Sequence, residues 1–402
     1  MQVKLLKNGR IYHNEDYLGK VIDREIGLFK SCERGYFTFS TENGFGEPNP
    51  LTLPLEYVKP FRDALNFGGV WMVDHILKQT GLAGVIENLI PDAGDTIKAL
   101  VAFRVLSSFP YSYAEGWHLR SFARVLYPAA VLESSLISKF HVLLGNEEVY
   151  INFFSKYLSI ITKNNTINEQ ISIPILIDST GLPNDIRTHL TAVNNHNGVI
   201  SNEIRLIYVL DKNTKLPIYF RYLSSNIIDN STLITTINSL STFGVDIEIV
   251  IMDAGYSSLN NLQQLLINNI PFVTRMPSNR TDYKELIRTY RAQLEEPENT
   301  VVYDRKSLYG LRVPYTIFDK DIFAFIMLDL QKQFIDHDSL VQKYNNDPEG
   351  IAKMRTQNPF NGTFIIFSSV KYDVSDILPI YYTRQSIEQS FDVSKNFADT
   401  IH

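Results

Sequence analysis

The sequence predicts an α/β protein: a mixed sheet with an inserted β-rich subdomain, preceded by a helical domain and a small N-terminal β-rich region. Three observations predict this class. From residue 170 onward, apolar runs of strand length alternate with helix-like segments. Residues 63–163 carry apolar side chains at helical spacing, which is typical of a helical domain. Residues 1–60 contain short alternating segments, which indicate a small β-rich region.

The N-terminal part of the chain predicts short strands at 10–12, 17–22 and 35–41. Prolines between residues 48 and 60 indicate a linker. In the helical domain the pattern predicts helices at 70–80, 95–107, 132–144 and 149–161, with Gly81 ending the first. Cations on these helices fit either a solvated face or a DNA-contact module: Arg104, Arg120, Arg124, Lys139 and His141.

Residues 170–402 predict the main sheet domain. Its strands are expected at 173–177, 204–210, 217–223, 247–252 and 272–275, with helices at 231–242 and 257–267. The segment at about 277–360 predicts a β-rich insert with strands at 300–303, 313–318 and 323–328. A strand at 364–367 and a helix at 379–397 with Pro379 near its start close the domain.

Composition excludes several classes of protein. With 38 Lys and Arg against 44 Asp and Glu, the net charge is −6, so nucleic acid cannot be held by bulk charge alone. The single cysteine, Cys32, excludes a disulfide scaffold and a cysteine-ligated zinc site. The sequence contains no run of about eighteen apolar residues, so it predicts no membrane span. We therefore expect no membrane partner and a cytoplasmic location.

Two aspartates follow apolar runs of the predicted sheet. Asp178 comes after the strand at 173–177, and Asp253 after the strand at 247–252. Each taken alone fits ordinary turn chemistry, since aspartate before glycine is common in turns. Together they predict two carboxylates at one sheet edge, because neighbouring strands lie about 5 Å apart. Two carboxylates at that distance repel each other, and a divalent cation relieves the repulsion.

A polar stripe marks the last predicted helix. Tyr381, Arg384, Glu388 and Lys395 fall within an arc of roughly 60° on an ideal helix. An apolar stripe lies directly beside it, so these side chains border the core. The alternative is a surface pair between Arg384 and Glu388, stabilising by a few tenths of a kcal/mol. The position of the polar stripe beside the core favours a functional site over a solvated face.

The spacing Tyr-two-Arg-three-Glu-six-Lys resembles the signature of the DDE transposases of the insertion-sequence family numbered four, whose catalytic core resembles ribonuclease H. The segment Asp178-Ser179-Thr180 is similar to the first-acid block of that family, and residues 253–258 to the second. Residues 221–229 are similar to the segment between them. The resemblance covers about residue 173 to the end of the sequence, the helical part loosely and the first sixty residues barely.

The resemblance implies Mg²⁺-dependent DNA strand cleavage and strand transfer at the ends of an insertion sequence. Two Mg²⁺ ions, with Mn²⁺ as a substitute, would be held by Asp178, Asp253 and Glu388. Tyr381, Arg384 and Lys395 would bind DNA. The implied partners are double-stranded DNA, both terminal inverted repeats and target, and a second copy of the chain in a synaptic homodimer. The location would be cytoplasmic, on the nucleoid when DNA is bound.

Two other functions remain open on the sequence. The chain stops at His402, soon after Lys395, whereas family members often continue. An inactive or truncated relic that binds DNA or inhibits transposition is therefore the alternative. A nuclease of the same fold without a transfer step is another. Five cations after the predicted strand at 272–275 fit either a DNA path or a soluble helix: Arg275, Arg280, Lys284, Arg288 and Arg291.

Overall fold

A computed structural model describes most of the 402-residue chain. The described residues are 2–7, 10–15, 18–31, 34–48, 65–163, 172–184, 188–196, 199–227, 229–344 and 348–396. The chain divides into two compact units, residues 1–66 and 67–402.

The first unit contains two antiparallel sheets. Strands β1 (Gln2–Lys7) and β2 (Arg10–Glu15) pair with each other. The second sheet has the order β3 (Lys20–Asp23), β4 (Leu28–Ser31), β5 (Gly35–Ser40) and β6 (Gly44–Gly46). The strand predicted at 35–41 is confirmed as β5, and the one at 10–12 lies within β2. Of the strand predicted at 17–22, residue 17 lies outside the described residues and 20–22 belong to β3.

Seven helices open the described part of the second unit. They are α1 (Gly68–Gln79), α2 (Leu82–Glu87), α3 (Gly94–Leu106), α4 (Ala114–Arg120), α5 (Ala123–Leu126), α6 (Ser134–Leu144) and α7 (Glu147–Lys163). All four helices predicted here are confirmed within about three residues at their ends. Gly81 has a φ of +76° directly after the C-cap residue Thr80, so it ends α1 as predicted. The apolar faces of α1 to α6 share one buried cluster around Phe103 and Tyr127.

The described strands after residue 171 form one ten-stranded sheet. Its strands are β7 (Ser172–Pro183), β8 (Ala192–His196), β9 (Val199–Asp211), β10 (Pro217–Ser224), β11 (Asp246–Met252), β12 (Phe272–Arg275), β13 (Thr300–Tyr303), β14 (Lys306–Ile317), β15 (Lys320–Asp329) and β16 (Thr363–Ser368). The order is β10-β9-β7-β11-β12-β16-β15-β14-β13, with β8 paired to β9. Strands β7, β11 and β12 are parallel, and the other pairs are antiparallel. The predicted mixed α/β class is confirmed, while the ribonuclease-H-like detail stays a prediction.

Helices cover both faces of this sheet. The described helices after β10 are α8 (Leu233–Thr242), α9 (Leu259–Ile267), α10 (Thr281–Leu294), α11 (Leu330–Tyr344), α12 (Pro348–Gln357), α13 (Val374–Tyr382) and α14 (Gln385–Asn396). Side chains of α7, α8, α9 and α10 pack on the face that carries Ile175 and Ile177. Side chains of α13 and α14 pack on the opposite face with Leu176 and Ile251. Alternate residues of one strand therefore contact different helical layers.

The segment at about 277–360 differs from the predicted β-rich insert. Strand β15 pairs with β16 from Phe323–Ser368 to Leu328–Thr363, and β14 and β13 follow it outward. These strands extend the main sheet and do not form a separate subdomain. Residues 330–344 and 348–357 are helices α11 and α12, where the sequence shows only a polar stretch. The strands expected at 300–303, 313–318 and 323–328 correspond to β13, β14 and β15, whereas their pairing partners are long-range contacts that local periodicity does not specify.

The helix predicted at 379–397 is two helices with a tight turn between them. Pro379 lies inside α13, not near a helix start, and the α-helical pattern is interrupted at Thr383 and Arg384. The Arg384 N–H donates to the Tyr381 carbonyl at 3.2 Å, and the Ile387 N–H to the Arg384 carbonyl at 2.9 Å. These hydrogen bonds between residues i and i−3 are of the 3₁₀ type, and they continue the helical path of the backbone through the interruption. In the described residues, no helix is both long enough and apolar enough to cross a membrane.

Gly362 provides a test of the central sheet, because it directly precedes β16 and has a φ of +72°. A Cβ atom there would lie 2.5 Å from the Asp329 carbonyl oxygen and 2.7 Å from the Gln333 nitrogen. We expect Gly362→Ala to lower the free energy of unfolding by about 2–4 kcal/mol, from the left-handed backbone and the backbone clash together. Chemical denaturation measures this loss.

The matched control is Gly84→Ala in α2, where a Cβ would meet nothing within 4 Å. Alanine should leave stability unchanged or raise it by about 0.5–1 kcal/mol, since glycine weakens helices. Equal effects of the two substitutions would contradict the role assigned to Gly362.

Candidate active site

The two aspartates predicted at strand ends lie on neighbouring parallel strands. Strand β7 pairs with β11 so that Ile177 lies opposite Met252, the last pair of the ladder. Asp253 directly follows β11 as predicted, whereas Asp178 lies inside β7, which continues to Pro183. Leu176 and Ile251, two residues earlier, belong to the cluster beneath α13 and α14. The backbone of Asp253 is extended, with φ −78° and ψ 168°. Because successive side chains of a strand point to opposite faces of the sheet, both carboxylates lie on the face that α13 and α14 cover.

A single guanidinium joins these two carboxylates to the predicted glutamate. Arg384 Nη1 donates to Asp178 Oδ2 at 2.5 Å. Its Nη2 lies 3.8 Å from Asp253 Oδ1 and 3.3 Å from Glu388 Oε1. The structure thus brings together three acids that are far apart in the sequence.

Tyr381 lies at the end of α13, and Arg384 lies in the turn that connects α13 to α14. The Tyr381 hydroxyl donates to Asp253 Oδ1 at 3.1 Å, and its ring is buried. Burial raises the pKa of this hydroxyl and so does Asp253, whereas Arg384 and Arg275 oppose the rise. The hydroxyl therefore keeps its proton and serves as a donor. The backbone of Lys395 belongs to α14, and its side chain lies outside the described residues.

Exposure increases across the three acids. The side chain of Asp178 is 15% exposed, that of Asp253 40% and that of Glu388 57%. Burial raises the pKa of Asp178 to about 6, although Arg384 and the Ser179 N–H lower it, and nearby Asp253 adds to the rise. Asp178 is therefore costly to ionise, and the guanidinium does not fully compensate its charge.

The donor set fits a divalent cation of the magnesium type. Carboxylate oxygens are the ligands that Mg²⁺ prefers, and three acids against one guanidinium leave an excess of negative charge. Burial is the main cause of the raised pKa of Asp178, and the neighbouring carboxylate of Asp253 adds to it. Across the described residues, no three His, Cys, Asp or Glu side chains are already arranged as a metal site. The acids are arranged around Arg384 in this structure.

A second layer of polar contacts fixes the first aspartate block. Asp229 Oδ1 accepts hydrogen bonds from Ser179 Oγ at 2.6 Å and from Arg205 Nη1 at 2.5 Å. Beside the second aspartate, Thr274 Oγ1 of strand β12 donates to the Asp253 carbonyl at 3.2 Å. The sequence assigned no role to Arg205. Asp229 ends the family-like segment 221–229, which was the one signal that could have singled it out.

One comparison with known proteins assigns a family to the part of the chain that carries the three acids. Residues 172–400 match the family model of the transposase DDE domain. A search of the curated proteins found no match. One similar solved structure is described as a cryo-EM structure of piggyBac transposase synaptic complex with hairpin DNA, at 12% identity and a TM-score of 0.38. That alignment covers 81% of this chain and 59% of the other.

The matched segment runs from the first strand of the large sheet through the last helix. It contains Asp178, Asp253 and Glu388, the three acids that meet at Arg384. The matched residues are more than half of the 402, and the chain therefore belongs to the transposase DDE domain family.

Proposed function

We propose that this protein is a transposase of the insertion-sequence family numbered four, which cleaves DNA strands at the ends of its element and transfers them to target DNA. The observation that supports this most strongly is the meeting of Asp178, Asp253 and Glu388 at one guanidinium. Cleavage and transfer are both phosphoryl transfers, in which an incoming and a departing oxygen lie roughly in line. A cluster of carboxylates that can hold divalent cations is the kind of site that this chemistry requires.

In this proposal the three acids hold two Mg²⁺ ions, for which Mn²⁺ substitutes. When bound, the cations supply activation of the attacking oxygen and stabilisation of the leaving oxygen. Asp178 and Asp253 are fixed by the ladder between β7 and β11, and Glu388 approaches them from α14. Arg384 holds the carboxylates near one another.

DNA phosphate is the proposed ligand of Tyr381, Arg384 and Lys395. A guanidinium offers five donors, so Arg384 has capacity beyond its carboxylate contacts. The Tyr381 hydroxyl adds a neutral donor beside Asp253. We propose terminal inverted repeats and target duplex as the DNA partners, a homodimer as the synaptic form, and a cytoplasmic, nucleoid-associated location. Three acids in place favour this enzyme over an inactive relic.

The direct test is Glu388→Gln, which keeps the size of the side chain and removes its charge. We expect Mg²⁺-dependent nicking of a duplex carrying the inverted repeats that flank the gene to fall by about 100-fold or more. Denaturing gels of end-labelled DNA measure the nicked fraction over time.

Asp392→Asn is the control, since Asp392 is an exposed acid one turn later on α14. It should retain nicking within about threefold of wild type. Undiminished nicking by the Glu388 variant would refute its place in the site.

Arg384→Leu tests whether the acid group accepts a divalent cation, without relying on activity. Removing the guanidinium leaves three neighbouring carboxylates uncompensated, so the melting temperature in EDTA should fall. Millimolar Mg²⁺ should then raise the melting temperature of this variant more than that of wild type, because the cation replaces the lost positive charge.

The comparison variant is Arg312→Leu, which loses a contact to Asp373 at 3.6 Å and one to the Tyr372 carbonyl. Its melting temperature should respond to Mg²⁺ as wild type does. An Mg²⁺ response of Arg384→Leu no larger than that of Arg312→Leu would contradict cation binding by the acids.

Asp178→Asn tests the electrostatic cost at the buried acid in metal-free protein. The pKa of Asp178 is raised to about 6 from 3.8, so its contribution to stability is fully present below pH 3.8 and is lost as pH rises through about 6. Asparagine removes this loss. The variant should be more stable than wild type at pH 7.5, by on the order of 1–3 kcal/mol, and the gain should be smaller at pH 5.

Urea denaturation in EDTA at the two pH values measures this difference. Asp246→Asn at the exposed start of β11 is the control and should show no such dependence on pH. A gain for Asp178→Asn that is equal at both pH values would argue against the raised pKa.

A further inference from the structure

A polar cavity of about 620 Å³ lies near the end of β12, between α10, α11 and the residues around Phe360. Four cations line it: Arg275 from β12, Lys284 and Arg288 from α10, and Lys332 from α11. We call this set the basic groove. Its lining also contains an acid, Asp336, whose carboxylate accepts the Gly362 N–H at 2.9 Å and lies 3.4 Å from Lys332 Nζ. The groove is strongly cationic in a chain whose net charge is −6.

The five cations that follow β12 separate into two groups. Arg280 pairs with Asp282 at 2.5 Å and Arg291 with Glu295 at 2.8 Å, so these two fit the interpretation of a soluble helix. Arg275, Lys284 and Arg288 line the groove instead. Within the described part of the chain, these three form no salt bridge with an acid.

The arrangement of the groove cations is unfavourable without an anion. Lys284 and Arg288 are exposed and lie one turn apart on α10, where like charges destabilise a helix. The guanidinium of Arg288 lies 5.4 Å from the Phe360 ring centre, and that of Arg275 5.2 Å from the Phe364 ring centre. Contacts with an aromatic face orient a guanidinium and leave its N–H groups available. The cations are therefore partly ordered before any ligand arrives.

Arg275 connects the groove to the three acids. Thr274 lies opposite Met252 in the parallel pair of β12 and β11, so Arg275 and Asp253 are the next residues of the two strands. Arg275 also influences the Tyr381 hydroxyl, whose pKa burial raises and Arg275 helps to lower. A polyanion that occupied the groove would therefore continue to the carboxylates.

We propose that the basic groove binds the phosphate backbone of duplex DNA next to the bond that reacts. This inference rests on the proposed function, which supplies DNA as the substrate. A continuous row of phosphates matches a row of cations that leads to the reaction centre, whereas a small anion would need only a single point of contact. The contacts are to phosphate, so the groove contributes affinity and register and no sequence preference.

The test is the double substitution Lys284→Ala with Arg288→Ala, assayed by fluorescence anisotropy with a labelled duplex in EDTA. Over a series of salt concentrations, the slope of log Kd against log salt should fall in magnitude by about 2, because two phosphate contacts are lost. Near 0.1 M salt, Kd should rise roughly 10- to 100-fold. Circular dichroism and the melting temperature show whether the variant is folded.

Two variants control for charge and chemistry. Lys306→Ala with Lys320→Ala makes the same change in net charge at exposed positions at the starts of β14 and β15, and Kd should stay within about twofold of wild type. Lys284→Arg with Arg288→Lys keeps both charges and should keep most of the affinity and the salt slope.

Three results would overturn the proposal. They are an unchanged salt slope in the alanine variant, an unchanged Kd of that variant near 0.1 M salt, or an equal loss of affinity in the Lys306 and Lys320 variant. If wild type itself binds no duplex, the proposed function fails as well. If wild type binds duplex and the alanine variant binds it equally, the groove proposal alone fails.

Discussion

The rest of the site depends on one constraint: negative charge is concentrated where the parallel ladder between β7 and β11 ends. The parallel register of β7 and β11 places two aspartates side by side, and the packing of α14 adds a glutamate. Such a group is unfavourable by itself, because like charges repel and Asp178 is largely removed from water. Arg384 offsets part of that cost through contacts with all three acids. A buried ion pair of this kind contributes little to net stability, yet losing the guanidinium would leave three neighbouring acids uncompensated, so the acids depend on Arg384.

Much of this site could be predicted from the sequence, for identifiable reasons. Asp178 and Asp253 each follow a fully apolar run, and such runs mark buried strands whose ends meet at one edge. Arg384 and Glu388 carry a spacing that resembles a known signature, and their neighbours Ile387 and Phe391 are buried as the pattern predicts. What could not be predicted depends on long-range partners. The pairing of β15 with β16, and the contact between Arg205 and Asp229, join residues whose proximity no local pattern encodes.

Tyr381, Arg384 and Glu388 of the predicted polar stripe face the sheet, although the helix that carries them differs from the predicted one. It assumed one straight helix, but the chain turns at Thr383 and Arg384 between α13 and α14. Because this turn keeps three-residue hydrogen bonds, Tyr381, Arg384 and Glu388 remain on the side that faces the sheet. A similar contrast applies to charge. The chain is acidic as a whole, yet its cations are distributed unevenly, with Arg275, Lys284 and Arg288 gathered around one cavity. Local placement of charge, and not its sum, decides where a polyanion can approach.

The three acids differ in how firmly the backbone beneath them is held. Strands β7 and β11 lie in the interior of the ten-stranded sheet, each hydrogen-bonded on both sides, so neither can shift without breaking two ladders. Glu388 belongs to a twelve-residue helix that contacts the sheet through side chains such as Ile387 and Phe391 and is not itself a strand of the sheet. If the acids hold cations as proposed, ions of different radii or coordination numbers would be accommodated by movement of α14, while the aspartates would stay fixed. Substitutions among the buried residues under that helix would then alter ion preference without changing any of the three acids.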